Sequence, residues 1–157
     1  MADLETIRAA IVTTLNSVPD IGVVHGYERY SNDREALRKH YAARIDGADQ
    51  LRGWFVSRRA RLNARKGYGG PMVTNVWQIR GYMGLADAEA TEQQFDALLE
   101  AVMAAFWADQ NLGGAVVTTA TLDTEAALNL EEAGPVLFAG VLCHSARLIL
   151  RTEHAQP

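Results

Sequence analysis

The 157-residue chain holds a single cysteine, Cys143, so no disulfide can form within it. Nothing in its cysteine usage points to an oxidising compartment. A long hydrophobic run is also missing. The most apolar stretch, Pro135 to Leu150, is interrupted by His144, Ser145 and Arg147 and is too short and too polar to span a bilayer. The first residues, Met1 to Arg8, lack the charged-then-apolar order of a signal peptide. Synthesis in the cytosol, a soluble product and no membrane partner are therefore expected. The sequence has no Ser-His-Asp order, no HExxH, no CxxC and no Gly-rich nucleotide fingerprint. Asp46-Gly47-Ala48-Asp49 lacks the remaining ligands of a calcium loop. The expectation is a protein that is not an enzyme, with no catalytic residues, no cofactor and no metal.

Charge of one sign is missing from two long tracts. Residues 51–86 have seven basic side chains and no acidic one, whereas residues 87–146 have ten acidic side chains and no Lys or Arg. The net charge of −4 makes the whole molecule a poor general polyanion binder, so the basic tract has to be weighed by itself.

A length of 157 residues and 48% hydrophobic content suit one domain with a sizeable core. Asp3 can cap a helix from Leu4, in which Leu4, Ile7, Ile11, Leu15 and Val18 form one apolar stripe ended by Pro19-Asp20. Ile21–Tyr30 reads as a strand. Ser31-Asn32-Asp33 caps a short helix over 34–43, part of a variable insertion at about 31–50, and 46–49 reads as a loop.

Residues 51–86 read as a projecting hairpin with a tip at Gly67-Tyr68-Gly69-Gly70-Pro71. Unbroken alternation puts Trp54, Val56, Arg58, Ala60, Leu62 and Ala64 on one face, and Phe55, Ser57, Arg59, Arg61, Asn63 and Arg65 on the other. The tip lacks the Lys-Ser/Thr pair of a phosphate loop.

Ala86–Asn111 is the clearest helix. Thr91 and Gln94 are placed as a capping box, with Phe95, Leu98, Leu99, Val102, Met103 and Phe106 on one side. A strand over 115–121 and an acidic connection over 122–132, with Leu128 and Leu130 as anchors, lead to one long central strand, Gly134–Thr152. Cys143 and His144 then face opposite ways and cannot form a nucleophile–base pair. Residues 153–157 read as a frayed tail. The expected fold class is α+β: a mixed, mainly antiparallel twisted sheet with a long β-hairpin, packed against two main amphipathic helices.

The charge sorting points to interfaces. The basic hairpin offers Arg58, Arg59, Arg61, Arg65 and Lys66, with Tyr68 at the tip; the acidic side offers Asp123, Glu125, Glu131 and Glu132. If the basic arm reached the acidic surface of a neighbouring copy, the contact would be heterologous and repetition would build a ring or filament. The plainest reading of the basic hairpin is a solvated strand face, and two other readings stand beside it. A nucleic-acid-binding α+β module would use the same arginines on phosphates. A small-molecule-binding enzyme would need a concave pocket with convergent polar groups.

The order helix, strand, insertion, long hairpin, helix, strand, acidic connection, final strand resembles the tail terminator (tail completion) proteins of long-tailed bacteriophages. The resemblance is carried by the Leu4–Ile11 helix, the Phe95–Phe106 helix and the closing Phe138–Leu148 strand. It implies a structural virion protein that forms a ring, a hexamer in that family. The ring caps the tail tube, ends its polymerisation and offers the tail-side surface for head–tail joining. The implied partners are further copies of the chain, the tail tube protein, a head–tail connector or stopper protein, and DNA passing through the ring. The implied location is the neck of a virion assembled in the host cytoplasm. Another neck role, as connector or stopper, is the nearest alternative.

Overall fold

The structure, a computed structural model, describes residues 3–65, 70–119 and 127–156, with the backbone alone at residues 64 and 65. Helix α1 (Leu4–Asn16) starts where Asp3 Oδ1 accepts a hydrogen bond from the Thr6 N–H at 2.7 Å. That satisfies one donor the first helical turn leaves free. Ile7, Ile11 and Leu15 are fully buried along one side. Burial of that kind stabilises by about 1.5–3 kcal/mol per side chain.

Strand β1 is shorter than its β-forming residues lead one to expect. Only Val23–His25 pair, parallel to the later strand at Gly53–Phe55. The chain leaves the sheet at Gly26, whose carbonyl accepts from Arg8 Nη1 at 2.7 Å. Tyr27 and Tyr30 then stand in solvent, 61% and 76% exposed.

The insertion supplies a strand as well as a helix. Helix α2 (Arg34–His40) is capped by Asp33, which accepts from the Glu35 N–H. Strand β2 (Ala42–Ile45) turns at Asp46-Gly47 into β3 (Ala48–Arg65). Both turn residues have positive φ, 52° and 79°, as a two-residue hairpin turn requires. The expected loop at 46–49 is thus a tight turn, and β3 starts before Leu51.

β3 pairs with β4 (Pro71–Gly84) from Arg52↔Met83 to Arg65↔Pro71. A bulge between Arg58 and Ala60 breaks the expected alternation. One extra residue reverses which side every later residue faces. Arg58, opposite Trp77, and Arg61, opposite Asn75, therefore share the side of Trp54 and Val56. Ala60 and Leu62, opposite Val76 and Thr74, continue the side of Phe55 and Ser57.

Helix α3 (Thr91–Ala108) follows a single 3-10 turn at Asp87–Glu89. The capping box does not form. Ala90, in the left-handed region at φ 54°, takes the cap position and Thr91 is already helical. The Gln94 side-chain amide donates instead to the Glu89 carbonyl at 2.9 Å. Phe95, Leu98, Leu99, Val102 and Phe106 are buried as the 3.6-residue period requires.

The β-branched run after it is not a strand over residues 115–119, and the last two residues of the expected strand, 120 and 121, lie outside the described residues. Thr118 forms one isolated bridge to Glu153, while Val116 and Thr119 donate back to the Asn111 and Gln110 carbonyls. The N–H groups of Val116 and Thr119 are thus spent on the turn before them rather than on a strand ladder. Turn bonds back to Gln110 and Asn111 here override local β propensity.

The expected single strand Gly134–Thr152 is two strands. β5 (Leu128–Phe138) and β6 (Val141–Ala155) are joined by Ala139-Gly140, with φ 51° and 78°. Leu128 is buried but Leu130 is 40% exposed. Nor are residues 153–155 of the expected tail frayed: Glu153, His154 and Ala155 pair with Thr74, Val73 and Met72, while Pro157 lies outside the described residues. The hairpin consequently does not project alone, because β6 flanks β4 along its length.

The fold is α+β, with sheet order β1-β3-β4-β6-β5 and β2 paired to β3. α1 and α3 cover one face and form the main core with Trp54, Val56, Trp77, Ile79, Leu148 and Leu150. A smaller cluster on the other face joins Tyr41, Leu51, Phe55, Tyr82 and Cys143. Cys143 and His144 lie on opposite sides of β6: Cys143 is in the smaller cluster, and His144 stacks on Phe95 of α3.

Candidate interaction surfaces

Sheet order decides which backbone is left open. β3 is paired on its outer side by β2 at Ala48–Leu51 and by β1 at Gly53–Phe55. From Val56 onward no described residue pairs with that side. β5 is the opposite edge of the same sheet, and no described residue pairs with its outer side.

The basic residues gather on the first edge. Arg58, Arg59 and Arg61 are all exposed on β3. The described ion pairs include Arg8–Glu5, Arg44–Asp49 and Arg147 with Glu131 and Glu132, and none described holds any of these three arginines. Arg61 lies on the helix side near His154. Burial, and then the Arg61 guanidinium, hold the His154 imidazole below its ordinary 6.5. Arg65 ends β3 opposite Pro71, but its side chain, Lys66 and Tyr68 lie outside the described residues.

On the acidic side, Glu131 and Glu132 are exposed on β5, while Asp123 and Glu125 lie outside the described residues. The two glutamates are not a free field. Arg147 Nη2 sits 3.8 Å from Glu131 and 3.4 Å from Glu132. Solvent-exposed pairs of this kind contribute about 0–1 kcal/mol each. Together the two glutamates still outnumber the one arginine. More acidic side chains, Glu92, Asp96 and Glu100, are exposed along α3. Part of each sequence tract thus lies on an open edge of one sheet, with Arg58, Arg59 and Arg61 on one and Glu131 and Glu132 on the other.

Three arginines were not singled out from the sequence. Arg80 and Arg147 are direct cross-strand neighbours on β4 and β6, and Arg151 lies further along β6 on the same face. Like charges placed opposite each other destabilise a sheet. The Arg80 guanidinium lies over the Tyr82 ring at 6.0 Å, and the Nε atoms of Arg80 and Arg147 are buried without a partner. The four-residue spacing of Arg147 and Arg151 places both on one strand face. Their alignment with Arg80 required the β4–β6 register.

One cavity of about 380 Å3 opens at the start of α3, lined by Leu85, Asp87, Thr91, Phe95, Pro135 and His144. Thr91 Oγ1 lies 2.7 Å from His144 Nε2, the spacing of a nucleophile and base. The same hydroxyl accepts from the Ala86 N–H at 2.9 Å and lies 3.2 Å from the Ala86 carbonyl. It ties the loop before α3 to β6, and no described carboxylate orients the imidazole. Among the described residues no His, Cys, Asp and Glu gather into a metal-binding group. No described helix is long and apolar enough to cross a membrane.

No protein-family model matches this chain, and no curated protein matches it.

Proposed function

We propose that this chain is a non-catalytic assembly subunit that docks head to tail with copies of itself into a closed ring. Its role is then that of a phage tail terminator: capping a tail tube, ending tube growth and presenting the tail-side surface for head–tail joining. The ring is a hexamer by the family resemblance. Its partners are the tube protein and a connector or stopper, and its place is the virion neck. The single observation that supports this reading is the opposite charge of the two open edges of one sheet. A subunit of a cyclic, heterologous assembly needs two different complementary sides. Exposed ion pairs fix register and orientation more than they supply affinity.

The test uses charge reversal on the whole chain. Native mass should show multimers that grow with concentration. Arg59→Glu with Arg61→Glu should be monomeric, and so should Glu131→Arg with Glu132→Arg. Mixing the two variants should restore an alternating assembly, because each reversed edge then meets its complement. A strict monomer at every concentration, or reversed variants that assemble as well as the parent, overturns the reading.

The arginine-bearing sheet face favours a second reading, contact with nucleic acid. It expects DNA binding that weakens steeply with salt and collapses on Arg80→Ala with Arg151→Ala. Binding indifferent to those changes and to Arg58→Ala with Arg61→Ala removes it.

A further inference from the structure

We infer that the joint between neighbouring copies is made by main chain, the outer half of β3 in one copy pairing antiparallel with β5 of the next. The inference deepens the head-to-tail reading above and rests on it. Its occupant is a second copy of this chain.

The first argument is hydrogen bonding. No described residue pairs with the outer side of β3 from Val56 to Arg65 or with that of β5 from Leu128 to Phe138. Such edges are templates for another strand. Pro135 has no N–H, so pairing is confined to the Leu128–Gly134 part of β5.

The second argument is direction. β3, β4, β6 and β5 are successively antiparallel, so β5 runs opposite to β3. A neighbour related by a small rotation about an axis along the strands therefore brings its β3 antiparallel to this β5. The sheet can continue from copy to copy without inverting a subunit.

The third argument is selectivity. An isologous β3–β3 contact would set Arg58, Arg59 and Arg61 against their own kind, and a β5–β5 contact would do the same with Glu131 and Glu132. Charged edge residues are how sheets avoid unwanted pairing. Arg58 and Arg61 stand on the helix face, whereas Glu132, opposite Arg147, stands on the other face, so the β3–β5 contact sets no like charges against each other and both like-edge contacts do. Each edge also carries a bulge, between Arg58 and Ala60 and between Leu130 and Glu132. Near each bulge stands an exposed leucine, Leu62 at 53% on the face away from the helices and Leu130 at 40% on the helix face, so a joint would cover one apolar side chain on each face. Antiparallel neighbours have Cβ atoms about 4.5–5.5 Å apart, close enough for engineered disulfides to form after small adjustment.

The experiment pairs Ala60→Cys with each of Asn129→Cys, Leu130→Cys, Ala133→Cys and Gly134→Cys in the full chain. The native Cys143 is fully buried and does not compete. Each variant is measured by native mass, then oxidised and run on a non-reducing gel. The expected result is multimers in native mass and, for at least one pair, a ladder beyond the dimer that reductant collapses. Ala60→Cys alone should give no ladder. Multimers without a ladder for any pair overturn the strand-to-strand joint while leaving the head-to-tail reading standing. An absence of multimers in the parent chain defeats the head-to-tail reading itself, and this inference falls with it.

Discussion

Trp54 packs across Gly81, its cross-strand partner, so closely that a Cβ on Gly81 would lie 2.3 Å from the indole. The missing side chain on β4 is what lets the indole lie in the sheet's main core. There the indole N–H donates to the Ile21 carbonyl at 2.8 Å and the ring stacks on Phe95. Gly81→Ala should therefore cost about 1–3 kcal/mol, the usual penalty for overpacking a filled core. Urea unfolding should show the loss as a lower midpoint. An unchanged midpoint would mean that the indole has room to move.

A second prediction concerns Thr91. Its hydroxyl is the only described side-chain group that links the loop before α3, the helix start and His144 of β6. Thr91→Ala leaves buried partners unsatisfied and should destabilise by about 1–3 kcal/mol. Thr91→Ser keeps the oxygen and should recover most of that. Equal losses for both variants would assign the cost to the methyl group instead.

The bulge at Arg59 makes a prediction through His154. Because the bulge turns Arg61 to the helix side, the Arg61 charge helps to depress the imidazole, though burial is the larger cause. Arg61→Gln should raise the His154 pKa part of the way to its ordinary 6.5, read by NMR titration. With unbroken alternation Arg61 would face the other side and the substitution would leave His154 unmoved. Since the folded value lies below the unfolded one, acidification below about pH 6.5 should cost stability.

Alkaline pH should weaken the fold. Burial pushes the Cys143 thiol up to about 11 from 9.0 and the Tyr41 hydroxyl up to about 12 from 10.0. The folded state holds both protons more tightly than the unfolded chain. Stability is therefore full below about pH 9 and is lost as pH rises through 11 for the thiol and through 12 for the phenol. Denaturant midpoints should fall over that range, and Cys143→Ala should remove part of the slope. A thiol reagent at pH 8 should not label the native protein.

Periodicity made the helices legible. The Leu4–Val18 and Phe95–Phe106 stripes are buried as their spacing requires, apart from Leu4 and Met103, which are half-buried, because a 3.6-residue repeat admits one apolar side. Turns were harder. Asp46-Gly47 and Ala139-Gly140 reverse the chain through positive φ, but Ala139 lies in an unbroken apolar run that gave no sign of a break. Strand extent also escaped, since whether Tyr27 or Thr118 joins a sheet depends on what backbone lies beside it.

The sequence by itself determined that positive and negative side chains are sorted into separate tracts, and that two amphipathic helices must cover a sheet. Only the tertiary structure decided that Arg58, Arg59 and Arg61 of one tract and Glu131 and Glu132 of the other stand on opposite edges of that sheet, that a one-residue bulge turns Arg61 toward the helices, and that Arg80 stands against Arg147. The reason is physical: charge and apolar spacing are written along the chain, whereas edges, faces across a bulge and cross-strand neighbours exist only once strand order and register are set by pairing.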